Sequence, residues 1–99
     1  MKILLVCNAG MSTSMLVSKM EAAAQDKGID VEIAAMPYTE AEKVLNEWDI
    51  VMLGPQVRHI LKSIQKSSTG TPVVVIDMRD YGMMNGEGVL NQALKTLGK

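Results

Sequence analysis

Residues 2–16, KILLVCNAGMSTSML, set the one cysteine of the chain at the seam between an apolar run and a small, hydroxyl-rich turn. The run Ile3–Val6 does not alternate polar with apolar residues, the pattern of a strand covered on both faces rather than one with a wet side. Beyond the turn, Leu16, Met20 and Ala24 recur at helical spacing, with Met15 and Ala23 widening the apolar face and Gly28 as the stop. A covered strand that turns directly into an amphipathic helix opens a layered α/β fold.

The remaining sequence extends this alternation. DVEIAAM (30–36) sets Val31, Ile33 and Ala35 against polar or small neighbours, the period of a strand nearer a sheet edge, and Pro37 closes it. TEAE (39–42) matches a capping box, with Thr39 and Glu42 as the reciprocal pair and a short helix carrying Ala41, Val44 and Leu45 behind it. DIVMLG (49–54) predicts a third strand. PQVRHILKSIQKS (55–67) predicts a third helix, with Pro55 at its start and Val57, Ile60, Leu61 and Ile64 on one face. TPVVVID (71–77) predicts the fourth strand; a Gly- and Met-rich loop follows, then a closing helix through Val89, Leu90, Ala93, Leu94 and Leu97.

These elements predict one domain over residues 1–99, a three-layer α/β architecture whose four-stranded parallel sheet has helices on both faces. In such sheets the loops beyond the carboxyl ends of the strands gather on one rim, where ligands bind. Three loops are expected there: Cys7–Ser14, Gly54–Gln56 and Asp77–Gly88.

Composition narrows the function. With 47% apolar residues, 99 residues can bury one core without metals or disulfides. A formal charge of −1 and only one Trp and two Tyr provide neither a basic field nor stacking platforms, which argues against nucleic acid as a partner. No stretch approaches the roughly 20 apolar residues of a membrane span. MKILLVC is too short for a signal-peptide core and reads as the first strand, so a cytoplasmic protein is expected. One cysteine permits no internal disulfide, no CxxC chemistry and no cysteine-rich metal site.

An isolated cysteine is usually a small buried hydrophobe. Cys7, however, stands at a strand-to-helix switch, followed by Asn8, Ala9, Gly10, Met11, Ser12, Thr13 and Ser14. Such a turn can aim backbone amides at one point, and the helix start adds partial positive charge, which together make an anion site. Asn8 offers a side-chain amide, Gly10 close backbone approach, and Ser12, Thr13 and Ser14 hydroxyls, one of them as N-cap. Bringing a thiol of ordinary pKa near ~8.5 to half ionisation at neutral pH takes roughly 2 kcal/mol of preference for the anion. A helix terminus typically supplies ~0.3–1 kcal/mol, so direct amide hydrogen bonds must supply the rest. A Walker-type site is disfavoured, because the turn lacks the lysine that reaches terminal phosphates.

The spacing also resembles the phosphate loop of low-molecular-weight tyrosine phosphatases, where arginine occupies the sixth position after the nucleophilic cysteine. Here that position is Thr13. A supplied arginine is worth about 10³–10⁵ in related phosphoryl chemistry, so its absence weakens hydrolysis and suits a protein that holds a phosphoryl group and surrenders it. Asp77 and Asp80 remain available as acids for a small cysteine-dependent phosphatase. A thiol-based redox or binding module is the other alternative.

Three blocks, KILLVCNAGMSTSMLVSKM, VMLGPQVRHIL and DYGMMNGEGVLNQAL, resemble the lactose/cellobiose (chitobiose) type IIB component of the bacterial sugar phosphotransferase system (PTS). The resemblance implies a sheet like that of the small tyrosine phosphatases and a phosphotransferase in which Cys7 is phosphorylated. It implies that Cys7 accepts phosphate from a phosphohistidine of a IIA protein and passes it to a β-linked disaccharide held by the membrane IIC component, with no cofactor or metal. Association with the inner face of the membrane through IIC follows from the same resemblance.

Other residues carry two readings each. Gly54, Pro55 and Gln56 suit contact with phosphate or a partner, or simply a helix start. Tyr81, Met83 and Met84 suit an adaptable exposed docking surface, or core filling. His59 reads as a surface residue, and Lys62 and Lys66 as part of a solvated face.

Overall fold

The computed structural model of the chain describes residues 1–7 and 11–98; of Met11, Ser12 and Thr13 it describes the backbone. Strands β1 (Lys2–Cys7), β2 (Glu32–Pro37), β3 (Ile50–Leu53) and β4 (Val73–Val75) form one parallel sheet in the order β2-β1-β3-β4. Helix α1 (Met11–Lys27) links β1 to β2, α2 (Tyr38–Ala41) and a 3-10 turn (Leu45–Glu47) link β2 to β3, and α3 (Leu61–Ser67) precedes β4. Helices α4 (Met78–Gly82) and α5 (Gly86–Thr96) complete the chain.

The absence of alternation in β1 has a direct cause in the layers. Ile3 and Leu5 pack with Leu16, Met20 and Ala24 of α1 and Val89, Leu90 and Ala93 of α5. Leu4 and Val6 face the opposite way, onto Ala41, Leu45, Trp48, Val57 and Ile64. All four β1 side chains are fully buried, and each contributes on the order of 1.5–3 kcal/mol of apolar burial. The expected three-layer arrangement, with a covered β1 and an edge β2, is therefore what forms.

Four local expectations are corrected. Met15 does not widen the buried face of α1; it is 58% exposed, because the stripe through Leu16, Met20 and Ala24 already fills the space between α1 and the sheet. Thr39 and Glu42 make no capping box: Pro37 takes the N-cap position and Tyr38 opens α2, so Thr39 already lies within the helix. The third helix is broken into a 3-10 segment (Pro55–Ile60) and α3, and the first of these is itself kinked at Val57, with φ −115° and ψ 18°; the Val57 side chain is buried at the kink. The loop after Asp77 contains α4, capped by the Asp77 carboxylate accepting from the backbone amides of Arg79 and Asp80.

The parallel registers bring the strand ends level. Val6 lies opposite Leu53, Leu53 opposite Val75, and Cys7 opposite Pro37. Chain order reverses between β1 and β3, so their carboxyl ends flank the point where open α/β sheets bind ligands.

Candidate functional site

Cys7, the last residue of β1, stands at that reversal point. It is a free cysteine, 3% exposed. Among the described residues it belongs to neither of the two apolar clusters on the faces of the sheet. Helix α1 opens at Met11, so the backbone amides of Met11, Ser12 and Thr13 belong to the first turn, where N–H groups have no intrahelical acceptor and the positive end of the helix dipole lies. Ser12, Thr13 and Ser14 are inside the helix, which corrects the expectation that one of them is the N-cap. Ser14 is exposed. Asn8, Ala9 and Gly10 lie outside the described residues, as do the side chains of Met11, Ser12 and Thr13.

The second expected loop begins beside the end of β1. The Gly54 amide donates to the Val6 carbonyl at 2.8 Å, extending the β1–β3 ladder by one rung beside Cys7. A β-carbon on Gly54 would stand 3.0 Å from Gln56 Oε1, 3.4 Å from the Val6 carbonyl oxygen and 3.6 Å from the Tyr81 ring. Pro55 is half-buried at the start of the 3-10 segment and Gln56 is exposed. Gln56 Nε2 donates to the Tyr81 hydroxyl at 3.2 Å, which joins the turn after β3 to α4.

The third loop reaches the rim through Tyr81. Of its two readings the structure gives core filling: the residue is 9% exposed and packs with the core under α1 and α5. Met84 is half-buried against the same core and takes a left-handed backbone, φ +53°. Met83 is 69% exposed and Met78 61%. A shallow groove of about 500 Å³ runs between Pro55, Gln56, Arg58, His59, Met78 and Tyr81. His59, Lys62 and Lys66 are exposed, as the sequence suggests.

The two carboxylates available to a phosphatase have local duties. Asp77 caps α4, accepting from the Arg79 amide at 2.9 Å and the Asp80 amide at 3.1 Å. Asp80 accepts from Asn85 Nδ2 at 3.2 Å, while Asn85 Oδ1 caps α5 through the Gly88 amide at 3.1 Å. Gln92, which the sequence reading passed over, donates to the Val75 carbonyl at 2.8 Å and accepts from the Asp77 amide at 3.0 Å, tying the end of β4 to α5. The helix-start preference of Asp and Asn was the available signal for the two caps; a lone Gln on an amphipathic helix gives none. No helix of the described residues is long and apolar enough to cross a membrane.

The family model for the "PTS system, Lactose/Cellobiose specific IIB subunit" matches residues 2–92. The chain is 45% identical over 98 residues to the cellobiose-specific EIIB component of Lactococcus lactis subsp. lactis, covering 92% of this chain and 91% of that one. It is 41% identical over 98 residues to the oligo-beta-mannoside-specific EIIB component of Bacillus subtilis, covering 97% and 95%. The solution structure of the cellobiose-specific IIB component from Borrelia burgdorferi superposes with a TM-score of 0.81 at 43% identity, covering 99% of this chain and 92% of that one. Such IIB domains share the low-molecular-weight tyrosine phosphatase fold. Sheet, rim and full-length similarity agree: the chain belongs to the lactose/cellobiose-specific IIB family of the sugar phosphotransferase system, and its chemistry is phosphoryl transfer.

Proposed function

We propose that Cys7 is the phosphoryl carrier and that the chain, one domain over residues 1–99, relays phosphate from the phosphohistidine of a IIA protein to a sugar bound by a membrane IIC component. The observation that carries this reading is the position of Cys7, the only cysteine of the sequence, at the end of a central strand where chain order reverses and a 17-residue helix begins four residues on. The protein works at the cytoplasmic face of the membrane, where IIA delivers and IIC receives.

The first step is in-line attack by the Cys7 thiolate on phosphorus: the S–P bond forms as the P–N bond breaks, and the histidine nitrogen leaves with the electron pair. The amides of the Asn8–Thr13 segment are assigned to the equatorial oxygens, and the start of α1 favours the dianion. In the second step a sugar hydroxyl attacks phosphorus, the S–P bond breaks, the hydroxyl proton passes to a base on the partner, and Cys7 is again a thiolate. The near-complete burial of Cys7 fits a carrier that protects its phosphoryl group from water and opens it only to a docked protein. The sugars in the relatives' names support a β-linked oligosaccharide as acceptor.

Mass spectrometry tests the reading after incubation with phosphoenolpyruvate, the general phosphotransferase proteins and IIA. A phosphate-sized mass increase in the wild type, lost in Cys7→Ser, is expected. An unmodified wild type in the presence of phosphorylated IIA sinks it, and steady hydrolysis of an aryl phosphate would favour a phosphatase instead.

A further inference from the structure

The geometry points to Gln56 and Tyr81 as positioning residues for Cys7, a latch that holds the carboxyl ends of β1 and β3 and helix α4 in one fixed arrangement; this inference rests on the carrier reading of Cys7. Gln56 and Tyr81 are 25 residues apart in sequence and joined by the 3.2 Å bond from the Gln56 amide to the Tyr81 hydroxyl. The two side chains converge on Gly54, whose missing β-carbon leaves room for both. Gly54 in turn binds the Val6 carbonyl at 2.8 Å, and that carbonyl belongs to the peptide unit that ends at the Cys7 nitrogen. A short chain of contacts thus runs from α4 through Tyr81, Gln56 and Gly54 to the backbone of the nucleophile.

The parts of the latch are unequal. Tyr81 is rigid: its ring lies in the core, and α4 is fixed by the Asp77 cap and by Asn85, whose amide donates to the Asp80 carbonyl at 2.8 Å. Gln56 is exposed and follows a glycine and a proline, and without its bond to Tyr81 it would hold several rotamers. The hydroxyl therefore sets the carboxamide, and the carboxamide fills the space beside Gly54. This assigns Gln56 and Tyr81 an internal duty, whereas a docking contact would leave Gln56 turned outward to the partner.

Tyr81→Phe keeps the ring and removes the hydroxyl, and Gln56→Ala removes the other half from an exposed position. Transfer from phosphorylated IIA and alkylation of Cys7 by iodoacetamide are measured on both variants and on the double variant. Each single variant is expected to lower kcat about fivefold to tenfold with KM within about twofold of wild type, and the double variant to be no slower than the singles. Alkylation of the buried thiol is expected to quicken by about the same factor in all three. A loss carried by KM with kcat intact would make the pair a docking contact and overturn the latch, as would additive losses or alkylation at the wild-type rate. If wild-type protein takes no phosphate on Cys7, the carrier reading fails while the alkylation measurements still decide the latch.

Discussion

Gly86, the first residue of α5, lies against the Lys19–Met20 peptide of α1, where a β-carbon would stand 2.6 Å from the Met20 nitrogen and overlap the Lys19 backbone carbon. The obstacle is backbone, so no rotamer change relieves it. Gly86→Ala is expected to destabilise the fold by about 1–3 kcal/mol through overpacking, and at the first position of the helix alanine gains little of its helix-interior advantage over glycine in return. Urea unfolding measures the difference; equal or greater stability would mean that the two helices can move apart without loss.

Gly54 gives the opposite expectation. Its φ of −62° suits any residue, and the tight neighbour of an added β-carbon is the end of a flexible side chain, Gln56 Oε1 at 3.0 Å. In Gly54→Ala the reduced freedom of the unfolded chain is worth about 0.4–1 kcal/mol, which offsets the crowding. Stability is expected to change by less than about 1 kcal/mol while Gln56 turns away from Tyr81 and phosphoryl transfer slows. A variant that transfers at the wild-type rate would contradict this.

Asp77 separates a cap from an acid. Asp77→Asn keeps a side-chain oxygen for the Arg79 and Asp80 amides, so stability is expected to fall by no more than a few tenths of a kcal/mol and Cys7 to be phosphorylated within about twofold of the wild-type rate. Asp77→Ala removes the cap and costs about 0.5–2 kcal/mol. A collapse of phosphorylation in the asparagine variant, with the fold intact by circular dichroism, would give the carboxylate a chemical role.

Thr13 occupies the position at which the small tyrosine phosphatases carry arginine, six residues after the cysteine. Thr13→Arg is expected to raise hydrolysis of an aryl phosphate above the wild-type background, because a guanidinium there clamps the equatorial oxygens of the transition state. An unchanged rate in a folded variant would show that residue 13 does not face the transferring group.

Fold class was legible because the sheet imposes a pattern of its own. Two-faced burial removes alternation from Ile3–Val6 and from Ile50–Leu53, and α1 and α5 each present a stripe long enough to show a helical period. What stayed hidden was shorter than one period or decided by tertiary contact. Helix α4 spans five residues, too few for periodicity, and only Asp77 announces it. Tyr81 carries two readings in a methionine-rich loop, surface or core, and only the tertiary contact of that loop with α1 and α5 decides for the core. Met15 satisfies the spacing of a buried face, but the space was already filled by Leu16 and Met20. At the candidate site, the place of Cys7 at the rim follows from the order of strands, whereas the bond between Gln56 and Tyr81 depends on two segments 25 residues apart meeting in space.

Strand β1 runs its six residues from Lys2 at one pole of the sheet to Cys7 at the other, a separation of about 16 Å at ordinary strand rise. The amino group of Met1 lies 3.4 Å from the Asp30 carbonyl oxygen, at the pole away from the sulfur. A surface tether or fluorophore attached at that amine therefore leaves the working pole unobstructed, and the protein can be immobilised for measuring its encounters without blocking the end that makes them.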